Sequence, residues 1–127
     1  MKTILVDAIY TFVIEGKGIF KAMYDLLETF PNRKILLTGA SGSRFKEFSL
    51  DHMPYEVFTL SNNPPKSDPL YYKKVLEHFG LKNTDVVYFE HNVSAITSAR
   101  SVGIQTHHYD PEKKDIEELK TFLTENL

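Results

Sequence analysis

The sequence predicts an α/β protein in which a five-stranded parallel sheet lies between two layers of helices. Short apolar runs of strand length alternate with segments whose apolar residues recur at helical spacing. The connections between them are short, which is typical of parallel strands joined by helical crossovers. Internal repeats and low-complexity tracts are absent, so we expect a single domain over residues 1–127.

The composition narrows the classes of function. The chain has 127 residues, a formal net charge of −2 and no cysteine. The absence of a basic stripe gives nucleic-acid binding little support, and the absence of cysteine excludes disulfides and disfavours a structural zinc site. Only three consecutive apolar residues, Ile4-Leu5-Val6, precede the charge of Asp7, which is too few for the apolar segment of a signal peptide. No apolar run approaches the length of a membrane span. We therefore expect a cytoplasmic protein that binds no membrane.

The first predicted strand is the apolar run Ile4-Leu5-Val6, which ends at the carboxylate of Asp7. Ligand sites in parallel sheets collect at the carboxyl ends of strands, so Asp7 is a candidate site residue. The alternative is an aspartate that only caps the following turn. The two glycines in the next segment predict a small flap, and helical spacing predicts a helix over residues 19–30.

The second predicted strand, KILLTG, ends at the hydroxyl of Thr38. Small residues follow it (Gly39-Ala40-Ser41-Gly42-Ser43), and we predict a helix that begins near Ser43. Small residues allow a ligand to approach the backbone closely, and a helix start directs free N–H groups toward it. A simple strand-to-helix turn explains this pattern equally well.

The second half of the chain repeats the alternation. Lys66 stands just before Ser67-Asp68-Pro69, a typical helix start. The other predicted elements are a strand over 55–61, a helix ending at Phe79 before Gly80, a strand over 85–90, a helix over 93–102, a strand over 104–109, and a last helix capped by Asp110-Pro111.

Four polar side chains are predicted to meet at one edge of the sheet: Asp7, Thr38, Lys66 and Glu90. A carboxylate can attack phosphorus and form an acyl phosphate. A hydroxyl and a lysine can bind the transferring oxygens and offset their charge. A second carboxylate can help to bind Mg²⁺, which prefers oxygen ligands.

In their order along the chain, these residues resemble the motifs of the haloacid dehalogenase-like (HAD) superfamily over nearly the whole sequence. The segment PPKSDPLYYKKVLEHFGL is similar to the lysine motif, and VVYFEHNVSAITSARSVG to the acidic motif. The resemblance implies a Rossmann-like three-layer core and an Mg²⁺-dependent phosphohydrolase that forms an aspartyl-phosphate on Asp7. It further implies that Thr38, Gly39 and Lys66 bind the phosphoryl group. Mg²⁺ would be bound by Asp7, the carbonyl of Ile9 and Glu90.

The sequence departs from the family motif D-x-D-G-T, where it reads Asp7-Ala8-Ile9-Tyr10-Thr11. Ile9 replaces the aspartate that acts as general acid and base, and isoleucine cannot carry a proton. Because general acid–base catalysis contributes roughly 10² to 10⁴ in rate, we expect a slow phosphatase. Tyr10 replaces the glycine of the motif, which puts in doubt the backbone turn that follows the nucleophile in the family.

The fourth motif has Glu90-His91 in place of paired aspartates. His91 is a poor ligand for Mg²⁺; it is either an acid or base or, as we favour, a partly exposed loop histidine.

The sequence leaves no room for a sizeable cap domain, so we expect an open site for a phosphorylated small molecule or macromolecule. The exposed sheet edges also allow a homodimer. The alternative function is a catalytically degenerate protein that binds a ligand or another protein. A general nucleotide-binding module has less support, because no G-x-G-x-x-G or P-loop pattern is present.

Overall fold

A computed structural model describes the whole chain, Met1–Leu127. In chain order the strands and helices are β1 (Thr3–Asp7), β2 (Val13–Ile14), β3 (Gly18–Ile19), α1 (Lys21–Glu28), β4 (Lys34–Thr38), α2 (Gly42–Glu47), β5 (Glu56–Thr59), α3 (Pro69–Phe79), β6 (Val86–Glu90), α4 (Val93–Ser101), β7 (Gln105–His108) and α5 (Ile116–Asn126).

The main sheet has five parallel strands in the order β5-β4-β1-β6-β7. Strand β1 is central, and its Val6 is paired with Leu36 of β4 on one side and Phe89 of β6 on the other. This confirms the predicted order, in which the strand of Asp7 lies between those that end at Thr38 and Glu90. All three residues therefore reach the same edge of the sheet.

Helices pack against both faces of the sheet, because apolar side chains project from both faces. Alternate residues of a strand point to opposite faces, so Ile4 and Val6 contribute to one buried cluster and Leu5 to the other. The first cluster contains residues of α1 and α5, and the second contains residues of α3 and α4. The predicted three-layer arrangement is therefore confirmed.

The segment after β1 forms the predicted flap, a two-stranded antiparallel hairpin of β2 and β3. Ile19 pairs with Val13 in this hairpin, and α1 therefore begins only at Lys21, two residues later than predicted. The helix also ends earlier than predicted, at Glu28. The hydroxyl of Thr29 donates to the carbonyl of Leu26 (2.6 Å) at that end.

The predicted cap of the last helix was wrong. Asp110 accepts hydrogen bonds from the N–H groups of Glu112 (2.9 Å) and Lys113 (3.4 Å), which closes a turn that precedes the helix. Helix α5 instead begins after Asp115, whose carboxylate accepts from the N–H of Glu118 (3.0 Å). Asp and Asn side chains stabilise either structure, so the sequence did not distinguish them.

The remaining boundaries agree with prediction to within two residues, and strands end where neighbouring strands stop pairing. None of the helices combines the length and the apolar character needed to cross a membrane.

Candidate active site

A cavity of about 330 Å³ opens at the carboxyl edge of β1, β4 and β6. Its lining includes all four polar residues that the sequence placed there, Asp7, Thr38, Lys66 and Glu90. Each occupies the end of a strand or, for Lys66, the loop after β5. The strand ends therefore bring together side chains that lie up to 83 residues apart in the sequence.

Asp7 is almost fully buried, and both of its carboxylate oxygens are hydrogen-bonded. Lys66 Nζ donates to Oδ1 (2.7 Å), and the hydroxyl of Thr11 donates to Oδ2 (2.7 Å). His91 Nδ1 also contacts Oδ2. Burial, followed by the charge of Glu90, raises the pKa of Asp7, while Lys66 and His91 act in the opposite direction. The carboxylate is held in one orientation by three neighbours.

Lys66 connects the two acidic residues of the cavity. Its ammonium lies 2.7 Å from Asp7 Oδ1 and 2.9 Å from Glu90 Oε1, and its side chain is only 15% exposed. Burial alone would lower its pKa, but the two carboxylates raise the pKa of Lys66 well above its usual value. The side chain is therefore a permanent cation at the floor of the cavity.

Glu90 is buried and is held from several directions. Its Oε1 accepts from Lys66 and from the hydroxyl of Tyr88, and its Oε2 accepts from the backbone N–H groups of His91 and Asn92 (both 3.0 Å). Burial opposes ionisation, but Lys66 and hydrogen bonds with the side chains of His91, Asp7 and Tyr88 hold the pKa of Glu90 well below its usual value. Of the two carboxyls, Glu90 is the one most firmly held as an anion.

Thr38 offers a free hydroxyl proton to the cavity. Its Oγ1 accepts from the N–H of Ala40 (3.0 Å), and the hydroxyl donates to no protein group. A Cβ at Gly39 would lie 2.1 Å from Oδ1 of Asn62, so a larger residue there would require the Asn62 side chain to move. The group that approaches Gly39 is a side chain of the protein, and the approach of a ligand stays a prediction.

The loop after Asp7 keeps a glycine-like turn although it contains no glycine. Tyr10 has a φ of 73°, in the left-handed region that residues with a Cβ enter only at a cost of about 1–2 kcal/mol. The N–H of Tyr10 donates to the carbonyl of Val13 (2.8 Å), and this bond helps to fix the turn. The turn that Tyr10 put in doubt is therefore formed, with Tyr10 in a glycine-like conformation. The side chain of Ile9 packs against the core and also lines the cavity.

His91 lies inside the site, and the interpretation that we favoured from the sequence, a loop histidine without a site role, was incomplete. It is partly exposed (25% of the side chain), but Nδ1 contacts Asp7 Oδ2 and lies 3.2 Å from Glu90 Oε2. The hydrogen bonds to Asp7 and then Glu90 raise the pKa of His91 to about 10. Two cations, Lys66 and His91, thus balance the two carboxylates of the cavity.

Comparison with known proteins identifies the fold. No family model and no curated protein matches the sequence. Solved structures do match. One is a variant of a HAD family enzyme from Bacteroides thetaiotaomicron in complex with magnesium and inorganic phosphate (12% identity, TM-score 0.63, 87% of this chain and 95% of that one). The chain has a haloacid dehalogenase-like fold.

Two further matching structures are those of longer proteins. A putative phosphoglycolate phosphatase from Lactobacillus plantarum has 13% identity and a TM-score of 0.65 over 87% of this chain and 61% of that one. The Unknown transcript 4 protein of Saccharomyces cerevisiae has 16% identity and a TM-score of 0.57 over 73% of this chain and 48% of that one. The present chain therefore spans about half to three fifths of the length of these two proteins.

The cavity contains oxygen donors of the kind that Mg²⁺ prefers. Asp7 and Glu90 supply carboxylates, and the carbonyl of Ile9, at the cavity wall, accepts no hydrogen bond from the protein. Candidate ligand atoms of Asp7, Glu90 and His91 lie within 4.8 Å of one another. These oxygens fit a hard cation, although the imidazole of His91 would have to release Asp7 and Glu90 Oε2 first.

Sequence reasoning missed two kinds of residue in and below this cavity. The buried hydroxyls of Tyr72 and Tyr88 lie 3.2 Å apart, and the hydroxyl of Tyr88 donates to Glu90. In the sequence these tyrosines lie in a predicted helix and a predicted strand, where an aromatic residue indicates only a position in the core. Arg44 and Asn62 line the cavity from segments with no motif of their own. The only signal for Asn62 was its place in a loop, where asparagine adopts a positive φ (58°).

Proposed function

We propose that this protein is a slow, Mg²⁺-dependent phosphohydrolase that works through an aspartyl-phosphate on Asp7. One observation carries the proposal: an oriented, buried carboxylate at the end of the central strand lies 2.7 Å from the ammonium of Lys66, in a cavity that Thr38 also lines. This is the combination of nucleophile and charge-stabilising donors that phosphoryl transfer requires.

In the proposed first step, an oxygen of Asp7 attacks phosphorus, and the bond between phosphorus and the leaving oxygen breaks. Lys66 and the hydroxyl of Thr38 bind the equatorial oxygens, where charge develops in the transition state. Mg²⁺, bound by Asp7, the carbonyl of Ile9 and Glu90, would offset the remaining charge of the phosphoryl group. In the second step, water attacks the phosphorus of the acyl phosphate and releases inorganic phosphate and the Asp7 carboxylate.

The missing acid at Ile9 determines which esters react. The leaving oxygen departs with a negative charge unless a proton reaches it, and Ile9 donates none. Rates should therefore depend steeply on the acidity of the leaving alcohol, with aryl phosphates far ahead of alkyl phosphates. The substrate in the cell is a phosphorylated small molecule or a phosphorylated macromolecule, since the cavity is open to solvent.

The test is hydrolysis of an aryl phosphate with and without Mg²⁺, beside Asp7→Asn as the isosteric control. We expect slow turnover that requires Mg²⁺ and the Asp7 carboxylate. Mass spectrometry of acid-quenched protein should show a phosphoryl adduct on Asp7. Turnover that survives in Asp7→Asn would contradict the proposal, as would activity that is indifferent to Mg²⁺.

A second candidate function is anion binding without turnover. The observation that favours it is the contact of His91 with Asp7, which leaves the nucleophile fully hydrogen-bonded and its charge balanced. In that case inorganic phosphate should bind to the wild-type protein and more tightly to Asp7→Asn, which removes a negative charge from the site, and no substrate should turn over.

A further inference from the structure

Tyr10 is the one aromatic ring of tyrosine or phenylalanine type in the lining of the cavity. Its side chain is 40% exposed, an unusual exposure for a large ring that lies only three residues from a buried carboxylate. Tyr10 also borders an adjoining hollow of about 200 Å³, which it shares with His91. The ring therefore stands at the mouth of the cavity and not in the core.

The backbone holds this ring in place at a cost. With a φ of 73°, Tyr10 occupies a conformation in which glycine would be the relaxed choice. Strained conformations persist where the surrounding structure fixes them, and they cluster at ligand sites.

Neighbouring side chains fix the orientation of the ring. Tyr10 makes edge-to-face contacts with His91 (centroids 5.7 Å apart) and with Phe48 (6.2 Å). The guanidinium of Arg44, another lining residue, lies 5.2 Å from the centroid of Phe48. Together they form one wall of aromatic and cationic groups, which we call the Tyr10 wall (Tyr10, Phe48, Arg44, His91). Because the ring is already oriented, little freedom is lost when a ligand binds against it.

We propose that the Tyr10 wall selects phosphate esters whose leaving group is aromatic. This inference rests on the proposed phosphate site at Asp7, Thr38 and Lys66. With the phosphoryl group at that site, the leaving group extends toward the solvent-exposed mouth, where Tyr10 offers a π surface. Offset or edge-to-face pairing of two rings contributes binding free energy beyond that from the burial of apolar surface. An aliphatic leaving group gains no such pairing.

The experiment measures binding and not turnover, with two non-hydrolysable probes in the same Mg²⁺-containing buffer. Phenylphosphonate carries the ring, and methylphosphonate carries only the head group. By titration calorimetry we expect phenylphosphonate to bind the wild-type protein about tenfold more tightly than methylphosphonate. Cyclohexylphosphonate, of similar size but without a π system, should bind more weakly than phenylphosphonate.

Two variants distinguish the effect of the aromatic ring of Tyr10 from the effect of side-chain size. Tyr10→Phe keeps the ring and should retain the preference for phenylphosphonate. Tyr10→Leu keeps an apolar side chain of comparable strain, and the ratio of the two affinities should fall by about three- to tenfold, the range expected for one aromatic pair. Thermal unfolding of both variants checks that they fold.

The outcomes distinguish the two proposals. If methylphosphonate binds and phenylphosphonate binds no better, aromatic selection is overturned while the phosphate site stands. The same conclusion follows if Tyr10→Leu keeps the full preference. If neither phosphonate binds, the phosphate site itself fails, and the inference about Tyr10 falls with it.

Discussion

The cavity has two halves that are built differently. In the first half, Asp7, Thr38 and Glu90 lie at strand ends, are almost fully buried, and have their polar atoms bound by the protein. In the second half, Ile9, Tyr10 and His91 lie in loops and are partly exposed.

The difference between the halves concerns what fixes each residue. The sheet positions the first half, so these residues can be altered only at a large cost to stability. The second half depends on local turns and side-chain contacts, which accept substitution more cheaply. All departures from the family motif discussed above, except the change to Glu90, lie in this second half. The first three of the four predictions below test this division.

The largest expected effect is on stability, from the buried cation of the first half. Lys66→Met leaves Asp7 and Glu90 as neighbouring buried carboxylates without a cation between them, and it should lower the free energy of unfolding by about 3–5 kcal/mol at neutral pH. The deficit should shrink on acidification, because the unpaired carboxyls then take up protons. Denaturant unfolding at several pH values measures both effects.

The matched control is Lys21→Met, which removes an ion pair of similar length (2.6 Å to Asp25) whose lysine side chain is 85% exposed. That change should cost less than about 1 kcal/mol. Equal losses from the two variants would show that burial does not distinguish them.

The next effect is on rate, from the second half. Ile9→Asp restores a proton-carrying side chain three positions from the end of β1's apolar run, and it should raise the hydrolysis of alkyl phosphates by about 100-fold, the lower end of the range for general acid–base catalysis. Ile9→Asn has nearly the same shape but transfers no proton, and should give no gain. A similar rate from both variants would indicate that polarity alone was limiting.

A smaller effect concerns the turn at Tyr10. Tyr10→Gly and Tyr10→Ala both remove the ring, but only glycine relaxes at a φ of 73°. The glycine variant should be more stable than the alanine variant by about 1 kcal/mol. Thermal unfolding of the pair tests this, and an alanine variant of equal stability would mean that the turn rearranges.

The smallest effect is a pH dependence at a histidine outside the cavity. His107 stacks on Phe122 (centroids 5.0 Å), and burial, partly offset by Glu118, lowers the pKa of His107 below its ordinary 6.5. The neutral form is the one that the fold favours. The stability that neutral His107 contributes to the folded protein is complete above pH 6.5 and is lost as the pH falls through the lowered pKa. The other charged groups that influence it are His108, Arg100 and Asp115.

His107→Phe keeps the stacking but takes up no proton. The wild-type protein should therefore lose stability relative to this variant as the pH falls from 7.5 to 5.5. A constant difference in unfolding free energy over that range would exclude His107 as the titrating group.

Sequence pattern placed the residues of the first half of the cavity, but for the second half it did not show how the side chains are arranged. Asp7, Thr38 and Glu90 were recognisable because each ends an apolar run of strand length, and the ends of parallel strands must meet at one edge. His91 follows Glu90 in a loop, and nothing in the order of residues shows that its ring turns back onto Asp7. The cap at Asp115 and the positive φ of Tyr10 were missed for the same reason: both depend on how a turn closes.

The sequence by itself determined the five-stranded parallel sheet, the helices on both faces, the three residues at the strand ends and Lys66 in the loop after β5, because periodicity and short connections permit few other arrangements. Only the tertiary structure decided how the charges of the site are paired. Lys66 and Asp7 are separated by 59 residues, and His91 and Asp7 by 84. Whether such side chains meet depends on loop geometry and burial, which lie outside any local pattern.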